Sequence, residues 1–205
     1  MAEGGLHRFA VRLLESLGKK LWGFPPRLMP YLVAKLGPIG ALSWFAANMP
    51  RYERTLRLLG PLRTHLACTV ISLHNGCHYC SYGHAYAVEL VYLKQATASS
   101  PVTAAEMCTW IGLPPAELRD RVCDVLERAD LHAEVLWVDR TLAQARGQQR
   151  AVDRDEARIA HLVRMFGTLN AVGIAEKVEP DEAHDPLNKD HELKARNAAL
   201  RGSPA

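Results

Sequence analysis

LACTVISLHNGCHYCSYGHAYAVEL, residues 66–90, carries two helix-spaced runs on either side of Asn75-Gly76. Upstream, a helix from Pro61 to about Leu73 places Leu62, Leu66, Val70 and Leu73 on an apolar face. Its other side carries His65, Cys68, Thr69 and Ser72 at i, i+3, i+4 and i+7. Asn75-Gly76 ends that helix, because both residues accept the backbone conformations of a helix C-terminus. A second helix starts near Cys77 and runs to about Lys94. The CHYC motif therefore lies between two helices. A thioredoxin-like CxxC sits between a strand and a helix, so that fold is disfavoured. The chain reads as all-α.

The rest of the sequence keeps this character, since helical spacing is common and period-two alternation bounded by turns is hard to find. A first helix presents Phe9, Leu13 and Leu17 on one face, with Arg8, Arg12, Lys19 and Lys20 on its solvated side. Pro25, Pro26, Pro30, Pro38 and Pro50 are expected to place boundaries between short helices. Thr103 with Glu106 makes a capping box. Pro114-Pro115 opens a helix that buries Leu118, Val122, Val125 and Leu126, and further helices cover about residues 131–145 and 153–177. The domain reading is an N-terminal helical extension over 1–50 packed on the core, a helical domain over 51–180, and a polar extension at the surface over 181–205.

A chain of 205 residues fits one large domain. The formal net charge is only +3 and the basic residues are spread along the chain, which gives no electrostatic footprint for nucleic acid. The opening residues MAEGGLHRFAVRLLESLGKK lack the apolar core and cleavage site of a signal peptide. The most apolar stretch, Leu28 to Met49, is interrupted by Pro30, Lys35, Gly37 and Pro38, so no membrane span is expected. An odd count of five cysteines argues against a disulfide framework and fits a reducing, cytoplasmic setting.

In such a compartment a CxxC is catalytic or metal-binding. Cys77, Cys80 and His84 fall at i, i+3 and i+7, on one face of the second helix. Both cysteines stand in its first turn, where free N–H groups and the helix dipole stabilise a thiolate. His84 lies one turn beyond Cys80, at a spacing that suits a proton acceptor. A sulfenic acid on Cys80 can condense with Cys77 to a disulfide, in turnover or in redox sensing. Zinc held by Cys77, Cys80 and His84, with His74, Cys68 or His65 as a fourth ligand, is the alternative. Haem attachment is excluded because Ser81, not histidine, follows Cys80. Cys108 and Cys123 stand alone on apolar faces and read as core residues, as do Tyr82 and Tyr86, while His78 and Tyr79 flank the motif.

Residues 66–90 resemble the core motif of the carboxymuconolactone decarboxylase family, in its AhpD-like alkylhydroperoxidase branch, which carries CxxCxxxH at a helix start. RMFGTLNAVGIAEKV, residues 164–178, is similar to that family's closing helix. The resemblance extends over about residues 55–95 and 155–180, and the first fifty residues and the tail lie outside it. It implies an all-helical homo-oligomer acting as a thiol-dependent peroxidase on organic hydroperoxides. Cys80 would be peroxidatic, Cys77 resolving, and His84 a base or relay. The reductant would be a lipoylated or other dithiol partner that exchanges with the more exposed Cys77. This chemistry requires neither cofactor nor metal. A decarboxylase-like protein that leaves its thiols unused is a further alternative. The family usually places a glutamate twelve residues before the first cysteine, where this chain has His65. A neutral imidazole relays a proton but supplies no fixed negative charge. Restoring glutamate at 65 is accordingly expected to raise the rate.

Overall fold

The computed structural model describes residues 2–202. Ten α-helices follow one another: α1 (Ala2–Trp22), α2 (Met29–Leu36), α3 (Pro38–Leu59), α4 (Pro61–Asn75), α5 (His78–Ala96), α6 (Ala104–Cys108), α7 (Pro115–Arg128), α8 (His132–Ala145), α9 (Arg154–Ala175) and α10 (His191–Leu200), with a short 3₁₀ turn over Pro186–Lys189. There is no strand among the described residues. Nor is any described helix long and apolar enough to cross a membrane.

Local chemistry sets most of these limits. α3, α4 and α7 each begin at a proline, whose fixed φ and missing N–H suit the first helical position. α4 ends at Gly76, which has φ 88° and donates its N–H to the carbonyls of Ser72 and Leu73. Thr103 caps α6 by accepting the N–H of Glu106 at 3.0 Å, and Asp153 caps α9 by accepting those of Asp155 and Glu156 at 2.8 Å.

α4 forms the centre, packed against α3, α5, α8 and α9. It is buried on every side from Thr64 to Leu73, so its polar residues must find partners inside the protein. One core cluster joins α1, α2 and α3 to α4, α9, Cys77 and Cys80. A second joins α4 to α6, α7 and α8, with Leu118, Val122, Val125 and Leu126 buried as expected.

Four sequence expectations are corrected. Pro50 does not end a helix, because α3 continues through it to Leu59. A boundary at residue 50 therefore falls within α3, whose Met49 and Tyr52 belong to one core with Leu28 and Phe166. In α1 the buried positions are Ala10, Leu14, Gly18 and Trp22, whereas Phe9 and Leu13 are exposed. The reason is close approach: a Cβ on Gly18 would stand 2.3 Å from Pro26 Cδ, so the contact face needs small residues. The stretch from residue 181 is also no surface extension, since Ala183, His184, Asp185 and Asn188 are buried. Two of its polar side chains are tied inward: Arg201 reaches buried Glu89 at 3.1 Å, and Asn188 donates to the Trp22 carbonyl at 3.0 Å.

Candidate active site

Cys77 is the N-cap of α5 and Cys80 its third residue, so the sulfur of Cys77 accepts the Cys80 backbone N–H at 3.5 Å. The Cys80 thiol also donates to Cys77. That hydrogen bond, together with the N–H groups of Cys80 and Tyr79, holds the Cys77 thiol below its ordinary range despite burial. Burial pushes Cys80 in the opposite direction, helped by its bond to Cys77 and by the charge there and on Cys68. Of the two sulfurs, Cys77 is therefore the one that more readily carries a negative charge, at the helix cap where the dipole favours it.

Both sulfurs are inaccessible, and both cysteines are free thiols. Cys77 is fully buried against α9, where a Cβ on Gly173 would stand 2.8 Å from its sulfur. This corrects the expectation that Cys77 is the more exposed thiol. Its position at the helix cap, where backbone donors converge, turns it inward.

Cys80 lines a cavity of about 40 Å³, room for one or two water-sized molecules. Its walls are apolar, with Trp44, Phe45 and Met49 from α3, and Met165, Phe166 and Leu169 from α9. Trp22 and Leu28, at the end of α1 and the start of α2, close it. The N-terminal helices therefore cover the thiols. The cover is pinned by Asp181, which accepts the Tyr79 hydroxyl at 2.8 Å and pairs with Arg27 at 2.9 Å.

His84, one turn after Cys80, lines the same cavity. Its Nδ1 lies 3.0 Å from Nδ1 of His65, and Nε2 of His65 lies 2.8 Å from Oδ2 of Asp185. With one proton per ring, these contacts permit a single tautomer arrangement. Asp185 accepts from Nε2–H of His65, Nδ1 of His65 accepts from Nδ1–H of His84, and Nε2 of His84 is left as a lone pair. Burial lowers His84 well below the usual histidine range, and the neighbouring His184 and His65 lower it further. It is a neutral base at rest. Asp185 remains a carboxylate: burial would raise it, but the hydrogen bond from His65, the Leu187 N–H and Lys94 keep it below its ordinary value. Its far side opens to a surface cleft shared with Glu53 and Lys94, so the chain Asp185, His65, His84 runs from the surface towards the thiol.

His184 is the other unforeseen member. Its backbone N–H donates to the Gly83 carbonyl at 3.0 Å, and its ring lies where a Gly83 Cβ would be, 2.5 Å from Cε1. The ring stacks on Trp22 and Phe24 and meets His84 edge-on at 5.1 Å. Burial, with His65 adding, pushes it down to about 3. Asn170 of α9 accepts from buried Ser72 at 3.3 Å behind the thiols.

Cys77, Cys80, His84 and His65 are thus brought together. Among the described residues no three His, Cys, Asp or Glu side chains converge as a metal centre requires. Asp185 and His184 escaped sequence reasoning because they lie in a charged, non-periodic stretch. The one available signal was a His-Asp pair followed by proline at 184–186. Comparison of the chain with protein-family models, curated proteins and solved structures returned no match.

Proposed function

We propose that the protein is a thiol-dependent peroxidase of the AhpD-like kind, reducing hydroperoxides through Cys80 and Cys77. The observation that carries this reading is the Asp185–His65–His84 chain, which ends beside Cys80 in an apolar cavity. A carboxylate, an orienting imidazole and a neutral base in that order are what deprotonation of a buried thiol needs.

In the reaction, the Cys80 thiol turns from Cys77 to Nε2 of His84, loses its proton there, and its sulfur attacks the outer oxygen of the hydroperoxide. The O–O bond breaks and the alkoxide takes the proton from His84, leaving an alcohol and a Cys80 sulfenic acid. Asp185, through His65, stabilises the imidazolium while it exists. The Cys77 thiolate then attacks the Cys80 sulfur, forms the disulfide and releases hydroxide, which is protonated to water. An external dithiol, lipoylated or otherwise, restores the pair after the cover over Trp22 and Leu28 opens. The apolar walls favour small organic hydroperoxides, which enter only when Trp22 and Leu28 move aside, since the closed cavity is about 40 Å³. The same likeness supports a cytoplasmic homo-oligomer.

The test is peptide mapping of fully reduced protein before and after stoichiometric tert-butyl hydroperoxide. A rapid Cys77–Cys80 disulfide is expected, with Cys80→Ser abolishing peroxide consumption. Unchanged thiols under conditions that oxidise a control dithiol would refute the reading.

A further inference from the structure

A second cleft lies between α3 and α9, on the same pair of helices that line the thiol cavity. It is lined by Arg51, Arg54 and Thr55 from α3, and by Arg154, Ala157, Arg158 and His161 from α9, around about 510 Å³. The positions follow helical spacing on each side, which is why four arginines scattered through the sequence share one opening. None of the four makes a salt bridge among the described residues. Of the nearby acids, Asp155 is exposed and the others face or bind elsewhere. Glu53 lines the cleft beside Asp185, Glu156 pairs with Arg140 at 3.4 Å, and Asp153 caps α9.

Two buried polar atoms at this cleft also lack partners: Nε of Arg158 and Nδ1 of His161. The His161 arrangement is fixed from its other side. Asn48 donates its amide to the Trp44 carbonyl at 2.7 Å, so its oxygen must accept from Nε2–H of His161 at 3.0 Å. In the neutral ring Nδ1 is then a bare lone pair in a strongly positive field. Burial, Arg51 and Arg164 all lower the His161 pKa.

We propose that this cleft binds a small phosphate-bearing molecule, with the phosphate group or groups held by Arg51, Arg54, Arg154 and Arg158. Four arginines lining one opening, with no acid among the described residues paired to any of them, make a positive field there that an anion relieves. A single carboxylate leaves most of that charge uncompensated. A phosphate ester carries about −1.5 to −2 and a diphosphate more, and guanidinium forks match phosphate oxygens bidentately. The volume lies within the usual range for a small-molecule pocket and exceeds what inorganic phosphate fills. This assignment stands apart from the redox chemistry and does not rest on it.

Calorimetric titration of the full chain in phosphate-free, low-salt buffer tests it, with inorganic phosphate, inorganic pyrophosphate and a short single-stranded oligonucleotide as probes. Pyrophosphate is expected to bind at one site, about tenfold tighter than phosphate, and about tenfold weaker in an Arg51→Gln/Arg54→Gln variant. Both of those side chains are exposed, so the fold should tolerate the change. Arg121→Gln, on α7, should bind as the parent does. NMR titration of His161 supplies an independent readout: its midpoint should rise when pyrophosphate is bound. Equal affinity in parent and double variant, or an unmoved His161, overturns the site. Oligonucleotide binding far stronger than pyrophosphate binding overturns the small-molecule assignment.

Discussion

Nε2 of His65 lies 2.8 Å from Oδ2 of Asp185, joining two residues 120 positions apart across the centre of the protein. His65 occupies the place where the resembling family has glutamate, and the negative charge comes instead from the far end of the chain. The imidazole of His65 links that carboxylate to His84.

Asp185→Asn retains a hydrogen-bond acceptor for His65 and removes the charge. On the proposed mechanism the rate of Cys80 oxidation should fall about a hundredfold, within the usual range for acid–base assistance. Helix content by circular dichroism should be unchanged. Stopped-flow measurement of thiol loss against pH checks this, and a parent-like rate would remove Asp185 from the relay.

His65→Glu should lower activity, reversing the expectation drawn from sequence. Residue 65 is fully buried, and its neighbour Asp185 is already a carboxylate. Two carboxylates there cannot both stay ionised, so one takes up a proton and the link to His84 is broken. The decisive comparison is peroxide consumption by His65→Glu and His65→Gln. A gain in the glutamate variant would show that His65 is only a substitute for that residue.

Acid should destabilise the protein below pH 6.5. His184 and His84 have folded-state pKa values below the unfolded one, His184 at about 3. Between about pH 3 and 6.5 the unfolded chain therefore binds more protons, and stability falls as pH falls through that window. Each histidine that stays neutral contributes a slope of about 1.4 kcal/mol per pH unit. Asp185 acts at lower pH: its folded-state pKa is depressed, so the stability it contributes is present above its unfolded value and is lost as pH falls below that value. The raised carboxyls of Glu53, Glu89 and Asp181 act in the opposite direction. Urea denaturation of the parent and of His184→Gln at a series of pH values therefore isolates the histidine contribution, and equal slopes from 4 to 6.5 contradict the burial of a neutral His184.

Gly83→Ala and Gly167→Ala should have opposite signs. A Cβ at Gly83 meets the His184 ring at 2.5 Å, so this change should cost about 1–3 kcal/mol and displace His184. At Gly167, on an exposed position of α9, a Cβ meets nothing within 4 Å, so alanine should stabilise by about 0.5–1 kcal/mol through helix propensity. Denaturation midpoints of the two variants decide the matter.

What the sequence by itself determined is local. Proline and glycine punctuation set where α3, α4, α5 and α7 begin or end, and i, i+3, i+7 spacing put Cys77, Cys80 and His84 on one stretch of helix. Short-range rules suffice there, because the groups involved lie within one or two helical turns of each other. Tertiary structure alone decided the rest. The buried face of α1 depends on how closely Gly18 lets Pro26 approach, which periodicity does not encode. The charge state of the CxxC pair depends on which sulfur the cap donors reach. Asp185 becomes part of the site because Arg201 binds Glu89 and Asn188 binds the end of α1, drawing a charged, aperiodic segment over α4 and α5. Such contacts satisfy buried polar groups that are distant in sequence, and no local pattern records them.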